Sequence, residues 1–211
     1  MSRPLAVLRP EPGNAATVAR IAALGLSAIA LPLFAVGPVE WDLPALDEVE
    51  GLLVTSANAV RHGGERLASL RHLPVIAVGA ATARAASDAG FEVTACGQGG
   101  MCEAMRLAGG RRLLHLAGRD RAGETGLPTL IVYASEPLPV DAAPLLDCVA
   151  LVHSARAARR LGEVAPDPRR IAVAAISATA LVAAGSGWRA TAVASQPTDA
   201  ALIDAARDLG R

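Results

Sequence analysis

The sequence predicts an α/β fold with parallel sheets, divided between two similar halves. Three observations predict it. Short apolar runs alternate along the chain with segments of helical character, the pattern of parallel strands covered by helices. Two stretches carry nearly the same residues at the same spacing. The hydrophobic fraction is 52% but aromatics are only 2%, so the core must be built from Ala, Val, Leu and Ile, which suit buried parallel strands.

Leu53-Val54-Thr55-Ser56 opens one copy of the repeat and Leu151-Val152-His153-Ser154 the other. Ser56 stands 23 residues before Gly79, and Ser154 stands 23 residues before Ser177. After one deleted residue, Gly90-Phe91 matches Gly187-Trp188 and Thr94-Ala95 matches Thr191-Ala192. Such a duplication implies two similar half-structures, each near the common domain size. Two halves facing one another would make a cleft.

The elements follow in order. Leu5 to Leu8 is an apolar run without alternation, a buried parallel strand. Arg9-Pro10-Glu11-Pro12-Gly13-Asn14 is a turn. A helix is expected over Ala15–Leu24, closed by Gly25, then a strand over Ser27–Leu33. Phe34 to Ala45, flanked and interrupted by Pro32, Pro38 and Pro44, is expected to be irregular. Strands follow at Gly51–Thr55, Val75–Val78, Glu92–Ala95, Arg112–Ala117 and Leu130–Tyr133. Helices are expected from Ser56, over Thr82–Ala89 and over Glu103–Leu107. Pro137 and Pro139 mark a second irregular connection, after which the strand-helix pattern repeats to a last helix at Ala200–Leu209. Between Leu116 and Leu130 the glycines and proline argue against a full helix. The β-α-β piece at Leu5–Leu33 has its counterpart at Arg112–Tyr133. The simplest assembly is therefore a discontinuous domain of residues 1–34 and 138–211, a second domain of residues 37–134, and two linkers at 33–37 and 133–139.

Charge and composition exclude several functions. The chain carries 20 basic and 20 acidic residues, and every basic one is Arg. No P-loop lysine, Schiff-base lysine or lysine general base is available. Zero net charge argues against nucleic-acid binding. Met1-Ser2-Arg3-Pro4 leads straight into the first strand, so no export signal is expected. The apolar run from Ile21 to Val36 is broken by Gly25, Ser27 and Pro32, so no membrane span is expected either. Cys96, Cys102 and Cys148 form no CxxC pair and are expected to be reduced thiols in or near the core. His62, His72, His115 and His153 show no metal-ligand spacing, so no metal is assigned. Gly97-Gln98-Gly99-Gly100 lacks the full dinucleotide pattern.

Ligands of parallel α/β sheets bind at the carboxyl ends of strands. Ser56, Gly79–Thr82, Ser154 and Ser177–Thr179 all lie where a strand gives way to a helix. Ser and Thr there are ordinary N-caps, but first-turn amides also attract anions. Arg9 and Arg119 are expected at the equivalent ends of the remaining first strands. Such a set suits a ligand with several carboxylates or phosphates. Tyr133, the one tyrosine, falls where the chain leaves the second domain, and its phenol could donate a proton or hydrogen bond.

Arg9-Pro10 with Gly13-Asn14, Pro32-Leu33, Thr55-Ser56-Ala57-Asn58-Ala59-Val60, Val78-Gly79 with Thr82-Ala83, Val132-Tyr133, and Ser177 with Thr179-Ala180 resemble, in that order, the uroporphyrinogen-III synthase family. The resemblance implies two flavodoxin-like domains joined by a two-stranded linker, with the ligand cleft between them. It implies a cytoplasmic enzyme, a hydro-lyase that cyclises hydroxymethylbilane with loss of water and inversion of the last pyrrole ring, without metal or cofactor. Its partner is a linear tetrapyrrole; a transient hand-over from the preceding pathway enzyme and a monomeric state are further expectations. Tyr133 matches the family tyrosine proposed to assist departure of the hydroxyl. Ser56, Thr82, Ser154 and Thr179 match hydroxyl-bearing loop positions, and Arg9 the arginine after the first strand. Ala57, Asn58, Gly79, Gly118, Arg119, Ala155 and Ser177 complete the expected substrate contacts. The loop after Gly118 is short for the family, and His153-Ser154-Ala155-Arg156 is less typical than its counterpart. Two rival readings are a non-catalytic two-domain binding module for a polycarboxylate and a nucleotide-dependent transferase; the second lacks any phosphate loop.

Overall fold

The structure, a computed structural model, describes residues 2–97, 101–120 and 126–211. In chain order the elements are β1 (Leu5–Val7), α1 (Gly13–Ala23), β2 (Ala28–Ala30), β3 (Phe34–Pro38), β4 (Gly51–Val54), α2 (Ala57–His62), β5 (Val75–Val78), α3 (Ala80–Asp88), β6 (Val93–Gly97), α4 (Met101–Ala108), β7 (Leu113–Gly118), β8 (Thr129–Pro137), β9 (Val149–Val152), α5 (Ala155–Val164), β10 (Ala172–Ala175), α6 (Ala178–Ala183), β11 (Ala190–Val193) and α7 (Asp199–Leu209). The chain divides into two compact units, Met1–Ala35 with Pro137–Arg211, and Val36–Glu136.

The first unit holds a sheet of order β11-β10-β9-β1-β2, parallel throughout. Its central strands are buried on both faces, which is why they read as continuous apolar runs. Successive side chains still alternate. Leu5, Val7, Val149 and Leu151 pack with Ile21 of α1 and Leu202, Ile203 and Ala206 of α7. Ala150, Val152, Val173 and Ala175 pack on the other face with Ala157, Ala158 and Leu161 of α5 and Ala180 of α6. Each buried Leu of this kind contributes about 1.5–3 kcal/mol. The small strand residues let the Ala-rich helices lie close.

The second unit holds the order β3-β8-β7-β4-β5-β6. Leu52, Val54, Val75 and Ala77 face Ala59 and Val60 of α2 and Ala86 of α3, while Leu53, Ile76 and Leu113 face Ala104 and Ala108 of α4. Apart from β3, the two sheets correspond strand for strand. β8-β7-β4-β5-β6 repeats β2-β1-β9-β10-β11, the flavodoxin-like 2-1-3-4-5 order entered at a different strand. The repeat extends to the backbone. Gly90 (φ 85°) and Gly187 (φ 88°) both take the left-handed conformation that favours glycine, and each precedes an aromatic, Phe91 or Trp188, packed on its own core.

Several expectations are corrected. Phe34–Pro38 is a strand, not irregular chain. It pairs with β8, bracketed by hydrogen bonds from Leu138 N to Leu33 O (2.9 Å) and from Val39 N to Val132 O (3.4 Å), an antiparallel arrangement. Pro38 is tolerated because it ends an edge strand. β8 likewise continues to Pro137 because it pairs with β7 along its first part and β3 along its last. Cys102 is exposed, whereas Cys148 is buried and burial pushes its thiol up to about 12. Most of the glycine cluster, residues 98–100, and residues 121–125 of the β7–β8 connection lie outside the described residues. No helix among the described residues is long and apolar enough to cross a membrane.

Candidate functional site

In the second unit the candidates gather at the carboxyl edge of the sheet, on neighbouring strands β8, β7, β4 and β5. Tyr133 is the register partner of Gly118 across a bulge. Its ring lies over the Gly118 Cα so closely that a Cβ there would stand 2.5 Å from Cζ. Gly118 is therefore a seat for the tyrosine ring, and being buried it offers a ligand little surface of its own. Tyr133 is half-buried and packs against the α2–α3 side of the core. Arg119 N donates to Tyr133 O at 3.0 Å, and the Arg119 guanidinium pairs with Glu136 at 2.5 Å, both side chains exposed.

Ser56 begins α2, and its hydroxyl accepts from Asn58 N at 3.2 Å. Ala57 and Asn58 are half-buried in the first turn. Below them Thr55 Oγ1 and His115 Nε2 lie 3.0 Å apart, with His115 2% exposed. Gly79 begins α3 at φ 83° with no side-chain cap. The amides of Ala80 and Ala81 stand in the first turn, where a helix supplies no partner of its own. Thr82 departs from expectation. It is 5% exposed, because as the third residue of α3 it turns toward the core. Counting from Gly79 and Ser177, its repeat counterpart is buried Ala180, while Thr179 matches Ala81, both exposed.

In the first unit the candidates lie at the ends of β1, β9 and β10. Ser154 caps α5 through Ala157 N (3.1 Å) and Ser177 caps α6 through Ala180 N (3.2 Å). Ser56, Ser154 and Ser177 thus use their hydroxyls as acceptors for their own helices, and the open donors are backbone amides at Ala155, Ala178 and Thr179. Arg9 does not share Arg119's place. Val7 pairs with Leu151 where His115 pairs with Leu53, so two residues on it is Ala117 that matches Arg9; β7 simply runs further before it ends.

Sequence reasoning missed the best-connected carboxylate of this edge. Asp199, the first residue of α7, accepts from Thr17 Oγ1 (2.8 Å) and His153 Nε2 (2.8 Å) on one oxygen and from Arg20 on the other. Arg9 NH1 lies 3.7 Å away. Burial works to raise the Asp199 carboxyl, but the hydrogen bonds from His153, Arg20 and Thr17 hold it below its ordinary value. Burial, helped by the Arg9 charge, pushes His153 below its ordinary value against the hydrogen bond to Asp199. Because a carboxylate only accepts, the neutral imidazole carries its proton on Nε2. An acid followed by alanines at a helix start looks like an ordinary first-turn residue, so only the fold reveals its partners. Among the described residues no three His, Cys, Asp or Glu side chains cluster to hold a metal ion.

A search among curated proteins found no match. A uroporphyrinogen-III synthetase from Helicobacter pylori superimposes with a TM-score of 0.72 at 17% identity, over 98% of this chain and 99% of the other. A mutant uroporphyrinogen III synthase from Thermus thermophilus superimposes with a TM-score of 0.57 at 18% identity, over 99% of each chain. At these identities the superpositions establish the fold. Residues 15–204 match the family described as Uroporphyrinogen-III synthase HemD, nearly the whole chain, and the chain belongs to the uroporphyrinogen-III synthase family.

Proposed function

We propose that this protein is a hydro-lyase that closes hydroxymethylbilane to uroporphyrinogen III, with loss of water and inversion of the last pyrrole ring. The observation that carries the reading is the family match over residues 15–204, which favours an enzyme over a non-catalytic binding module. It acts in the cytoplasm as a monomer, takes its linear tetrapyrrole in a transient hand-over from the preceding pathway enzyme, and needs no cofactor.

The chemistry assigns simple roles. The pyrrole nitrogen of the first ring pushes out the hydroxyl, which leaves as water once it gains a proton. The cationic azafulvene is attacked by the substituted carbon of the last ring, giving a spiro intermediate. The bond from the spiro carbon to its original methylene bridge then breaks, that bridge bonds instead to the free carbon on the other side of the ring nitrogen, and loss of the proton from that carbon restores the aromatic ring. Tyr133, seated on Gly118, is assigned as proton donor to the departing hydroxyl. The larger contribution is positioning, because the enzyme must present the substituted carbon rather than the free carbon across the ring nitrogen. The open amides at Ala57, Ala80, Ala81, Ala155, Ala178 and Thr179 suit the acetate and propionate groups, with Gly79 leaving room beside its helix and Asn58 and Arg119 adding side-chain donors. Ser56, Ser154 and Ser177 hold the amides of α2, α5 and α6 in place as caps. Arg9 is assigned to a carboxylate at the end of β1. Thr82, being buried, is assigned no contact.

The test is to incubate the protein with hydroxymethylbilane and resolve the porphyrin isomers. The inverted isomer is expected to dominate; accumulation of the unrearranged isomer alone refutes the reading. Replacement of Tyr133 by Phe is expected to lower turnover while leaving product binding in place.

A further inference from the structure

We propose that Asp199 is the positioning residue for Arg9, holding its guanidinium at the end of β1 ready for a carboxylate of the substrate. The proposal rests on the synthase reading and adds a residue to it. The Arg9 side chain lies across the first residue of α1, where a Cβ on Gly13 would stand 2.4 Å from Nε and 2.6 Å from Cζ. Gly13 is thus the floor of a slot for this arginine. The guanidinium makes no hydrogen bond to another described residue, and its acidic partner is Asp199 at 3.7 Å. At that separation charge attraction restrains the side chain while its donors stay open; a close two-pronged pair would have used two of them.

The two side chains differ in the way this role requires. Asp199 is 13% exposed and Arg9 35%. Asp199 cannot follow Arg9, because Thr17, His153 and Arg20 all donate to it. Those donors come from the first helix and the end of β9, so one carboxylate ties α1 to the end of β9 beside the sheet's switch point. Three amides at the start of α1 are already committed: Asn14 N to Pro10 O (3.1 Å), Ala15 N to Glu11 Oε2 (3.0 Å) and Ala16 N to Pro12 O (3.4 Å). The charged donor at this strand end is therefore the Arg9 side chain, and its placement falls to Asp199. The competing account is that Asp199 merely stabilises α7 as a first-turn acid.

A double-mutant cycle separates the two. Arg9→Ala, Asp199→Asn and the double variant are assayed with hydroxymethylbilane alongside the unaltered protein. Each single variant is expected to raise KM on the order of tenfold, the loss of one charge-assisted contact, and to affect KM more than kcat. The double variant is expected to match Arg9→Ala alone. Independent, multiplying effects, or an Asp199→Asn variant with unchanged KM, overturn the proposal while leaving the synthase reading intact. An unaltered protein that yields only the unrearranged isomer overturns both. If Asp199→Asn fails to fold, Thr17→Val removes one of the bonds that fix the carboxylate, and the same cycle with Arg9→Ala applies.

Discussion

Replacing Gly118 by Ala tests whether the Tyr133 phenol takes part in the reaction. The new methyl would stand 2.5 Å from Cζ of Tyr133 and 2.8 Å from Cε2 and the hydroxyl oxygen, against 3.4–4 Å for ordinary contact. The ring must retreat by about 1 Å against the core on which it partly packs. Such overpacking costs about 1–3 kcal/mol. The φ of Gly118 lies outside the left-handed region, so alanine is not strained there and stiffens the unfolded chain by about 0.4–1 kcal/mol. The net loss is up to about 2.6 kcal/mol, which lowers Tm by up to about 10 °C in a chain of this size. Turnover is more sensitive, because a displacement near 1 Å costs up to about a hundredfold. Steady-state kinetics with hydroxymethylbilane should therefore show kcat reduced about 10- to 100-fold at a temperature where the variant is fully folded. In a Tyr133→Phe background the same change should alter kcat less than about twofold, since the phenol is already gone. Full turnover in Gly118→Ala, with the expected fall in Tm, would refute the role of the phenol.

Acid should weaken the fold in two stages. His153 and His62 both lie below their ordinary values, the first chiefly through burial and the second through burial and Arg61. As pH falls below about 6.5 the unfolded chain takes up protons first, so stability drops with pH. The depressed Asp199 carboxyl, whose value burial alone would raise but whose hydrogen bonds win, adds a second loss beginning near about pH 4. Thermal midpoints across a pH series should show both, and His153→Gln should flatten the first; a midpoint that climbs on going from pH 7 to 5 contradicts the scheme. Gly162→Ala, at an exposed position in α5 with Ala184 O 3.4 Å from the new Cβ, should raise stability by up to about 1 kcal/mol in urea unfolding; a loss would show that the carbonyl does not give way. Leu151→Ala, in a fully buried site of β9, should cost about 2–5 kcal/mol in the same measurement. Ser177→Ala should cost about 1 kcal/mol through loss of the α6 cap, and a neutral result would mean that solvent replaces it.

The parallel strands were legible because both faces are covered, so Leu5–Val7 and Val149–Val152 are unbroken apolar runs. β3 was not, because Pro38 signals a loop unless one knows that the strand lies at an edge. The site was legible at the level of loops. Ser56, Ser154 and Ser177 were found at the strand ends, but their spacing could not tell a ligand hydroxyl from a cap. Thr82 and Thr179 look alike in sequence; one residue of helical phase buries the first and exposes the second. Asp199 was silent because its partners Thr17, Arg20 and His153 lie far away along the chain. At Gly118 the need for glycine comes from Tyr133 on the next strand, a neighbour that local sequence does not reveal.

The permuted order of the strands sets a timetable for biosynthesis. β1 completes its sheet by pairing with β9, Leu5 opposite Val149, 144 residues later. At typical elongation rates the ribosome needs roughly 7–30 s to cover that distance. All five strands of the second unit's repeated order, β4 to β8, emerge in that interval. The nascent chain therefore holds the β1-α1-β2 crossover unit with an unpaired edge while its neighbour is already able to fold. The three-residue length of β1 and β2 limits what that waiting edge offers to other chains.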